Sequence, residues 1–369
     1  MPDEQISKPQ SEAYRWMDAT RTLAAFAVVI SHARDFLIQD YTGERSWAPF
    51  YFLTGLGHQA VIVFFVLSGF WIGRTTLQNL HRARFWRNYI VARLTRLLIV
   101  LVPTLALGGV LDFLGGLVWQ LPFYTEGSTH SLSPLAVANL GPTVFLGNLA
   151  FLQTILVPNW GTNGPLWSLA YEFWFYIWFP SLVSAWRGKP TWFLASIIVA
   201  AFAPQMLTYF LIWLMGVAVH LSENRDGRLR RILRNNQKVS MVIGLALFIA
   251  TLAMSQATSG WFADFILGMS FAALLIVMLN TPKAIGKAPQ PLVFYGGNVS
   301  YTLYASHLPI LVFVIAISGL ERRLPSPSAV ALVLAATFGM TAIAFCLAKG
   351  TEARTGALRV AILSGRQRS

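Results

Sequence analysis

The stretch DATRTLAAFAVVISHARDFLI, residues 18–38, decides the fold. Read from Ala19, it offers the roughly 20 largely apolar residues that an α-helix needs to cross a hydrocarbon core. Yet it carries Arg21 and His32 inside that run. Ionisable groups in a spanning helix are expensive, so their default reading is functional. The eleven residues from one to the other make about three helical turns, which puts both side chains on one face, roughly 16 Å apart along the axis. Asp18 falls close to the same face. A basic mouth with a titratable imidazole further in points to a site that admits an anionic molecule and performs proton chemistry.

The rest of the chain repeats the apolar theme. Of 369 residues, 55% are hydrophobic and 12% charged, and several further runs approach spanning length. Thirteen Trp and eleven Tyr suit the two interfacial belts of a bilayer. No short apolar signal core precedes residue 19, so the first run is expected to be retained. The lone Cys346 excludes an internal disulfide and any cysteine-based metal site, and no His-Glu-x-x-His spacing occurs, so no metal is expected.

The net charge of +13 would suit nucleic acid, but its distribution argues against that partner. Basic residues collect in three stretches. The first holds Arg74, Arg82, Arg84, Arg87, Arg93 and Arg96, the second Arg225, Arg228, Arg230, Arg231, Arg234 and Lys238, and the tail Lys349, Arg354, Arg359, Arg366 and Arg368. Stretches of this kind between apolar runs obey the positive-inside rule and place themselves in the cytoplasm.

That rule yields an all-α polytopic membrane bundle of about ten spans with both ends inside. The spans are expected at 19–38, 53–73, 97–119, 166–185, 192–203, 205–220, 239–257, 261–280, 292–317 and 328–347. Residues 143–157 are short for a span and run into Pro158, Asn159 and Gly164-Pro165. Counting them as a span would put Arg187 and Lys189 outside, so they are read as re-entrant or interfacial. Residues 1–15 read as a cytoplasmic tail, 16–349 as the membrane domain and 350–369 as a basic cytoplasmic tail. Glu321-Arg322-Arg323, in an outer loop, fits the charge rule least well.

Five clusters, in order along the chain, resemble the acyltransferase-3 family of integral membrane acyltransferases. They are Asp18-Ala-Thr-Arg21 with His32, the run Phe64-Phe65-Val66-Leu67-Ser68-Gly69-Phe70, and Arg93-Leu-Thr-Arg96-Leu. They continue with Trp167-Ser168-Leu169 followed by Glu172 and Phe175-Tyr176, and end on Ser300-Tyr301-Thr-Leu303-Tyr304-Ala-Ser-His307-Leu-Pro309. Departures from the family pattern are Leu98-Ile99 before Pro103, Ala19 and Thr22 at positions often glycine, and Ser306 before the late His. The resemblance implies the short, stand-alone form, without a periplasmic hydrolase-like domain. It implies transfer of an acyl group, most simply acetyl, from cytoplasmic acyl-CoA to a hydroxyl of a carbohydrate or lipid-linked glycan, at a bacterial inner membrane. Acyl-CoA is then a co-substrate, and no bound cofactor is expected.

The residue types fit this chemistry on their own terms. An imidazole titrates near neutrality, which suits His32 to act as general base on an acceptor hydroxyl or, as a rival role, as a transient acyl carrier. Asp35, three residues on, is placed to orient that ring, or else sits at the outer interface with Arg34. Arg21 offers donors matched to phosphate, with an internal pair to Asp18 as its rival role. Arg93 and Arg96, one turn apart at a helix start, suit a phosphorylated donor, although ordinary charge-rule arginines look the same. Glu172, one turn from Tyr176, stands with the candidate catalytic residues; it needs a partner, for which Arg21, Arg93 and Arg96 are candidates, or else is protonated or purely structural. Ser68-Gly69 reads as close helix packing rather than as a nucleophile, since no Gly-x-Ser-x-Gly elbow surrounds it. Trp167, Ser168, Tyr176, Tyr304 and His307 complete the supporting set. His58 and Asp264 are intramembrane polar residues without an assigned role. A transporter or exporter of an anionic or acylated solute is the alternative class, but the internal repeats that it would show are absent from the sequence.

Overall fold

The structure is a computed structural model and describes residues 12–125, 129, 131–132, 136–186, 191–223 and 227–364. Residues 1–11, Arg187, Lys189, Arg225, Arg366 and Arg368, which entered the topological reading, lie outside the described residues. The nine long helices are α1 (Glu12–Leu37), α2 (Gly57–Asn79), α3 (Phe85–Asp112), α4 (Leu166–Trp186), α5 (Gln205–Ser222), α6 (Gln237–Ala257), α7 (Trp261–Asn280), α8 (Ser300–Ser318) and α9 (Pro327–Gly350). Strand-like pairing among the described residues is confined to isolated bridges. Among the described residues, seven helical stretches are long and apolar enough to cross a membrane. Neither α1 nor α4 is among those seven, and these two carry much of the polar site described below.

The bundle is an all-α polytopic membrane fold, as its hydropathy requires, with three differences in detail. The third helix begins at Phe85 rather than 97, so Arg93 and Arg96 lie inside it and not at its start. Residues 192–203 do not make a continuous span. They form a helix, Thr191–Ile197, and a tight turn, Ile198–Ala201, before Pro204. Eleven helical residues rise only about 17 Å. The run 292–317 is likewise interrupted: a short helix, Gln290–Asn298, ends at Val299 before α8 begins.

Backbone contact sets the tightest helix pair. A Cβ on Gly69 of α2 would overlap the Trp213 carbonyl of α5, and one on Gly216 of α5 would overlap the Val66 carbonyl of α2. Small residues let helices approach closely where lipid offers no hydrophobic drive for association. Ser68 accepts from the Trp213 indole N–H at 3.1 Å, a second tie between the same two helices. By contrast α6 exposes Val239, Val242, Ile243, Leu245, Leu247 and Ile249, the face that a lipid-bounded helix presents.

Proline residues inside helices free carbonyls, and the fold uses them. Pro309 leaves the Ala305 carbonyl without its intrahelical donor, and the Asn163 amide supplies one at 3.0 Å. Pro180 does the same for the Tyr176 carbonyl, which accepts from the Tyr89 hydroxyl at 2.9 Å.

Residues 142–165, which include the segment 143–157 read as re-entrant or interfacial, lie between α3 and α4 in the chain. A short helix, Pro142–Leu149, is followed by tight turns with positive φ at Phe151 and Thr154 and then by irregular chain. The Asn148 amide donates to the Pro158 carbonyl at 2.9 Å while its oxygen accepts from the Trp160 backbone N–H at 3.1 Å. Gln153 donates to the Leu166 carbonyl at 2.8 Å. Buried Asp112, at the end of α3, receives the Thr162 backbone N–H at 2.7 Å, the Thr162 hydroxyl at 2.9 Å and the Tyr124 hydroxyl at 3.2 Å. Irregular backbone at membrane depth is tolerated only when protein satisfies it in this way.

The two ends of the bundle differ in charge. At one end the start of α1 meets the end of α2 and the turn after α5. Tyr14 donates to Glu223 at 2.6 Å, and Arg74 bonds Tyr14 and lies 3.7 Å from Glu223. Burial raises the Glu223 pKa, but bonds from His220 and Tyr14 and the charge of Arg74 outweigh it, and the carboxyl is held below its ordinary value. The first basic stretch runs along this end. At the opposite end Arg322 pairs with Asp40 at 2.8 Å, so its misfit to the charge rule is compensated locally.

Both assigned tails are partly built into the bundle. Glu12 accepts from the Ala288 backbone N–H at 3.0 Å, so α1 starts before residue 16. Beyond 349, a helix, Thr355–Ser364, packs on α3, and buried Glu352 accepts from the Thr302 backbone N–H at 3.1 Å and from its hydroxyl at 3.0 Å.

Candidate active site

Two cavities lie along the inner face of α1. The first, about 330 Å³, sits toward the basic end, and the second, about 630 Å³, lies toward the opposite end. Val61 and Tyr304 line both.

The first cavity gathers residues far apart in sequence: Asp18 and Arg21 from α1, Arg93 and Arg96 from α3, and Glu172 and Tyr176 from α4. Arg21 donates to Asp18 at 3.0 Å and lies over the Trp71 ring at 5.8 Å, so its internal pair coexists with its place on the cavity wall. Arg93 lies between the Tyr89 and Tyr176 rings, at 5.6 and 5.9 Å, with its Nε buried and unbonded. Glu172 accepts from the Tyr176 hydroxyl at 2.5 Å, so its hydrogen-bond partner is that tyrosine rather than the arginines expected of it. Three guanidinium groups against two carboxylates, Asp18 paired to Arg21 and Glu172 bonded to Tyr176, leave donors to spare for an anionic ligand. Ser68 and Tyr301 also line this cavity, and the Tyr301 hydroxyl donates to the Leu97 carbonyl at 3.1 Å. Tyr301 stands in the late motif but had no role read from sequence.

Tyr304 is fixed at the boundary. Its hydroxyl donates to the Pro165 carbonyl at 2.9 Å and lies 2.5 Å from the Ser168 hydroxyl, tying α8 to the start of α4. Trp167 turns to the second cavity and packs edge-on against Phe65, with ring centres 6.2 Å apart.

His32 lines the second cavity with Asn159, Gly161, Thr162 and Gly164 of the irregular chain before α4. Its Nδ1 lies 2.8 Å from Nε2 of His307, a buried residue of α8, and the rings stack at 5.0 Å. The proton positions follow from the partners. Nδ1 of His307 faces the Tyr304 carbonyl at 2.8 Å and the Leu303 carbonyl at 3.1 Å. Carbonyls only accept, so Nδ1 of His307 carries hydrogen and, in the neutral ring, its Nε2 is an acceptor. His32 must then donate from Nδ1, which leaves its Nε2 with a lone pair and no hydrogen bond among the described residues. A histidine backed in this way holds a single tautomer and presents a base.

This corrects the role expected of Asp35. Its Oδ2 accepts from the Ser131 backbone N–H at 3.0 Å, and His307, not Asp35, orients the His32 ring. Three residues along a helix differ by about 60° in direction, enough to turn the carboxylate toward the loop. Sequence reasoning also missed Asp112, whose only signal was an acid in an otherwise apolar run.

The fold and this arrangement are those of a polytopic membrane bundle with polar cavities between its helices. The chain belongs to the acyltransferase-3 family, whose acyltransferase domain matches residues 14–349. It is similar to acyltransferase MdmB of Streptomyces mycarofaciens, with 28% identity over 211 residues, 54% of this chain and 46% of that protein. The match thus covers about half the length of that curated relative. No solved structure matches the chain.

Proposed function

We propose that the protein transfers an acyl group, most simply acetyl, from cytoplasmic acyl-CoA to a hydroxyl of a carbohydrate or lipid-linked glycan, with His32 as general base. The observation that carries this reading is the free Nε2 of His32 on the wall of one cavity, with Arg21, Arg93 and Arg96 on the wall of the adjoining one. The basic end of the bundle faces the cytoplasm of a bacterium, and the membrane is its inner membrane. CoA phosphates pair with the three arginines, and the thioester lies at the Val61–Tyr304 boundary. The acceptor oxygen attacks the thioester carbonyl carbon while His32 Nε2 takes the hydroxyl proton. The C–S bond then breaks, the new C–O ester remains on the acceptor, and CoA leaves as a thiolate that takes up the proton held by the His32 imidazolium, restoring the neutral base.

As the imidazolium forms, the Nδ1–H···Nε2 bond to His307 becomes charge-assisted and is strengthened in the transition state. Mass spectrometry of surface glycans from cells with and without the gene tests the reading, complemented by wild type or His32→Gln. An amide can hydrogen-bond but cannot take a proton at neutral pH, so His32→Gln is expected to lose acylation. Glycans acylated normally by His32→Gln would move the base elsewhere.

A further inference from the structure

A third cavity, about 560 Å³, opens between the starts of α2 and α7 and the end of α6. His58 lines both this cavity and the His32 cavity, so its imidazole stands in the wall between them. Its Nε2 donates to both oxygens of Asp264, at 2.8 and 2.9 Å. The Asp264 side chain is 7% exposed and that of His58 is 48% exposed. A buried carboxylate that fixes a half-exposed imidazole leaves His58 Nδ1 as the atom open to a ligand. The Tyr209 hydroxyl takes no hydrogen bond among the described residues, and both it and the exposed indole of Trp261 line the cavity. Gln256 spends its N–H on the Phe52 carbonyl at 2.9 Å and keeps its oxygen for another partner. No lysine or arginine is among the lining residues.

From this we infer that the His58–Asp264 cavity is a binding subsite for a neutral, polyhydroxylated molecule, seated so that one of its hydroxyls reaches the His32 cavity past His58. The inference rests on the proposed function, for which it names where the acceptor is held. A flat indole offers an apolar face, while amide, phenol, imidazole and carboxylate groups offer both donors and acceptors, the mixture that a sugar ring requires. The carboxylate, with no compensating cation, disfavours an anionic ligand. The polar lining disfavours an acyl chain. The volume falls within the range of small-molecule sites, roughly 300–1,000 Å³, and is enough for one or two sugar rings.

Saturation-transfer NMR on the full chain in nanodiscs tests this, with methyl β-D-glucopyranoside, methyl β-D-galactopyranoside and maltose as probes and glucuronate as the charged control. At least one neutral probe is expected to bind wild type and the His32→Gln variant equally. Trp261→Ala, at an exposed position, and Asp264→Asn are each expected to weaken that binding about tenfold or more. Absence of binding by every neutral probe, equal binding by both variants, or glucuronate binding as tightly as the neutral probes would each overturn the inference. Because the readout needs no turnover, the two proposals fail separately. Lost probe binding with His32-dependent transfer intact refutes only the subsite, and intact probe binding with an active His32→Gln refutes only the base.

Discussion

Replacing His307 by Leu removes the acceptor behind His32 without touching the base itself. The lost contact is the 2.8 Å Nδ1···Nε2 bond, buried at the α1–α8 contact. In the ground state it is a neutral bond of about 1 kcal/mol. In the transition state it opposes a forming imidazolium and is worth about 1.5–3 kcal/mol. Only the difference, about 0.5–2 kcal/mol, acts on the chemical step, so at roughly 1.4 kcal/mol per decade the kcat of His307→Leu should fall about 2- to 30-fold. Its KM for acetyl-CoA should be unchanged, since none of the arginines is disturbed. His307→Gln restores an acceptor oxygen and should recover most of the lost rate. The assay is thiol release from acetyl-CoA by purified protein in nanodiscs, followed together with acceptor acylation. A full-rate His307→Leu enzyme, or a loss confined to KM, would refute the tautomer argument. So would a Gln variant as slow as the Leu variant.

Other outcomes follow from the same geometry. Arg93→Ala and Arg96→Ala should each raise the KM for acyl-CoA about ten- to a hundredfold, from about 1.5–3 kcal/mol per charge-assisted contact, with little change in kcat. Asp112→Ala strands three donors that now bond one carboxylate, so the melting temperature in detergent should drop by an amount equivalent to about 3 kcal/mol or more. Gly216→Val should abolish folding by driving a side chain into the α2 backbone, visible as aggregation in size-exclusion chromatography. Cysteines placed at 82 and 234 should resist a membrane-impermeant maleimide in intact cells and react after permeabilisation. Labelling from outside would reverse the orientation.

Long-period features of the fold were legible in the sequence, and short-range polar geometry was not. The apolar run 261–280 coincides with α7, because an uninterrupted run bounded by Gly260 and Thr281 leaves the helix little choice of ends. Residues 192–203 deceived for the opposite reason: apolar composition fixed their burial preference, but Pro204 and the short run decided their length. At the site, Arg21, Arg93, Arg96, Glu172 and Tyr176 were each visible as costly polar residues in apolar surroundings, and the fold gathers them at one cavity. The His32–His307 contact spans 275 positions and depends on how α1 and α8 face each other, which no local pattern records. Spacing placed Asp35 near the ring by direction alone. It could not register the competing demand of the Ser131 N–H.

That the first two cavities have only Val61 and Tyr304 in common has a consequence for how such an enzyme can change. Away from the Ser168–Tyr304–Pro165 bonds and the Phe65–Trp167 contact, substitutions on opposite sides of that pair have no bonding partner in common, so their free-energy effects should sum. On the proposed reaction, recognition of one reactant is thereby insulated from recognition of the other, and a lineage can exchange one binding surface while inheriting the other intact. Only at Val61 and Tyr304 must both reactants be satisfied by the same atoms. Variation there carries a double constraint, and non-additive effects should be concentrated at that pair.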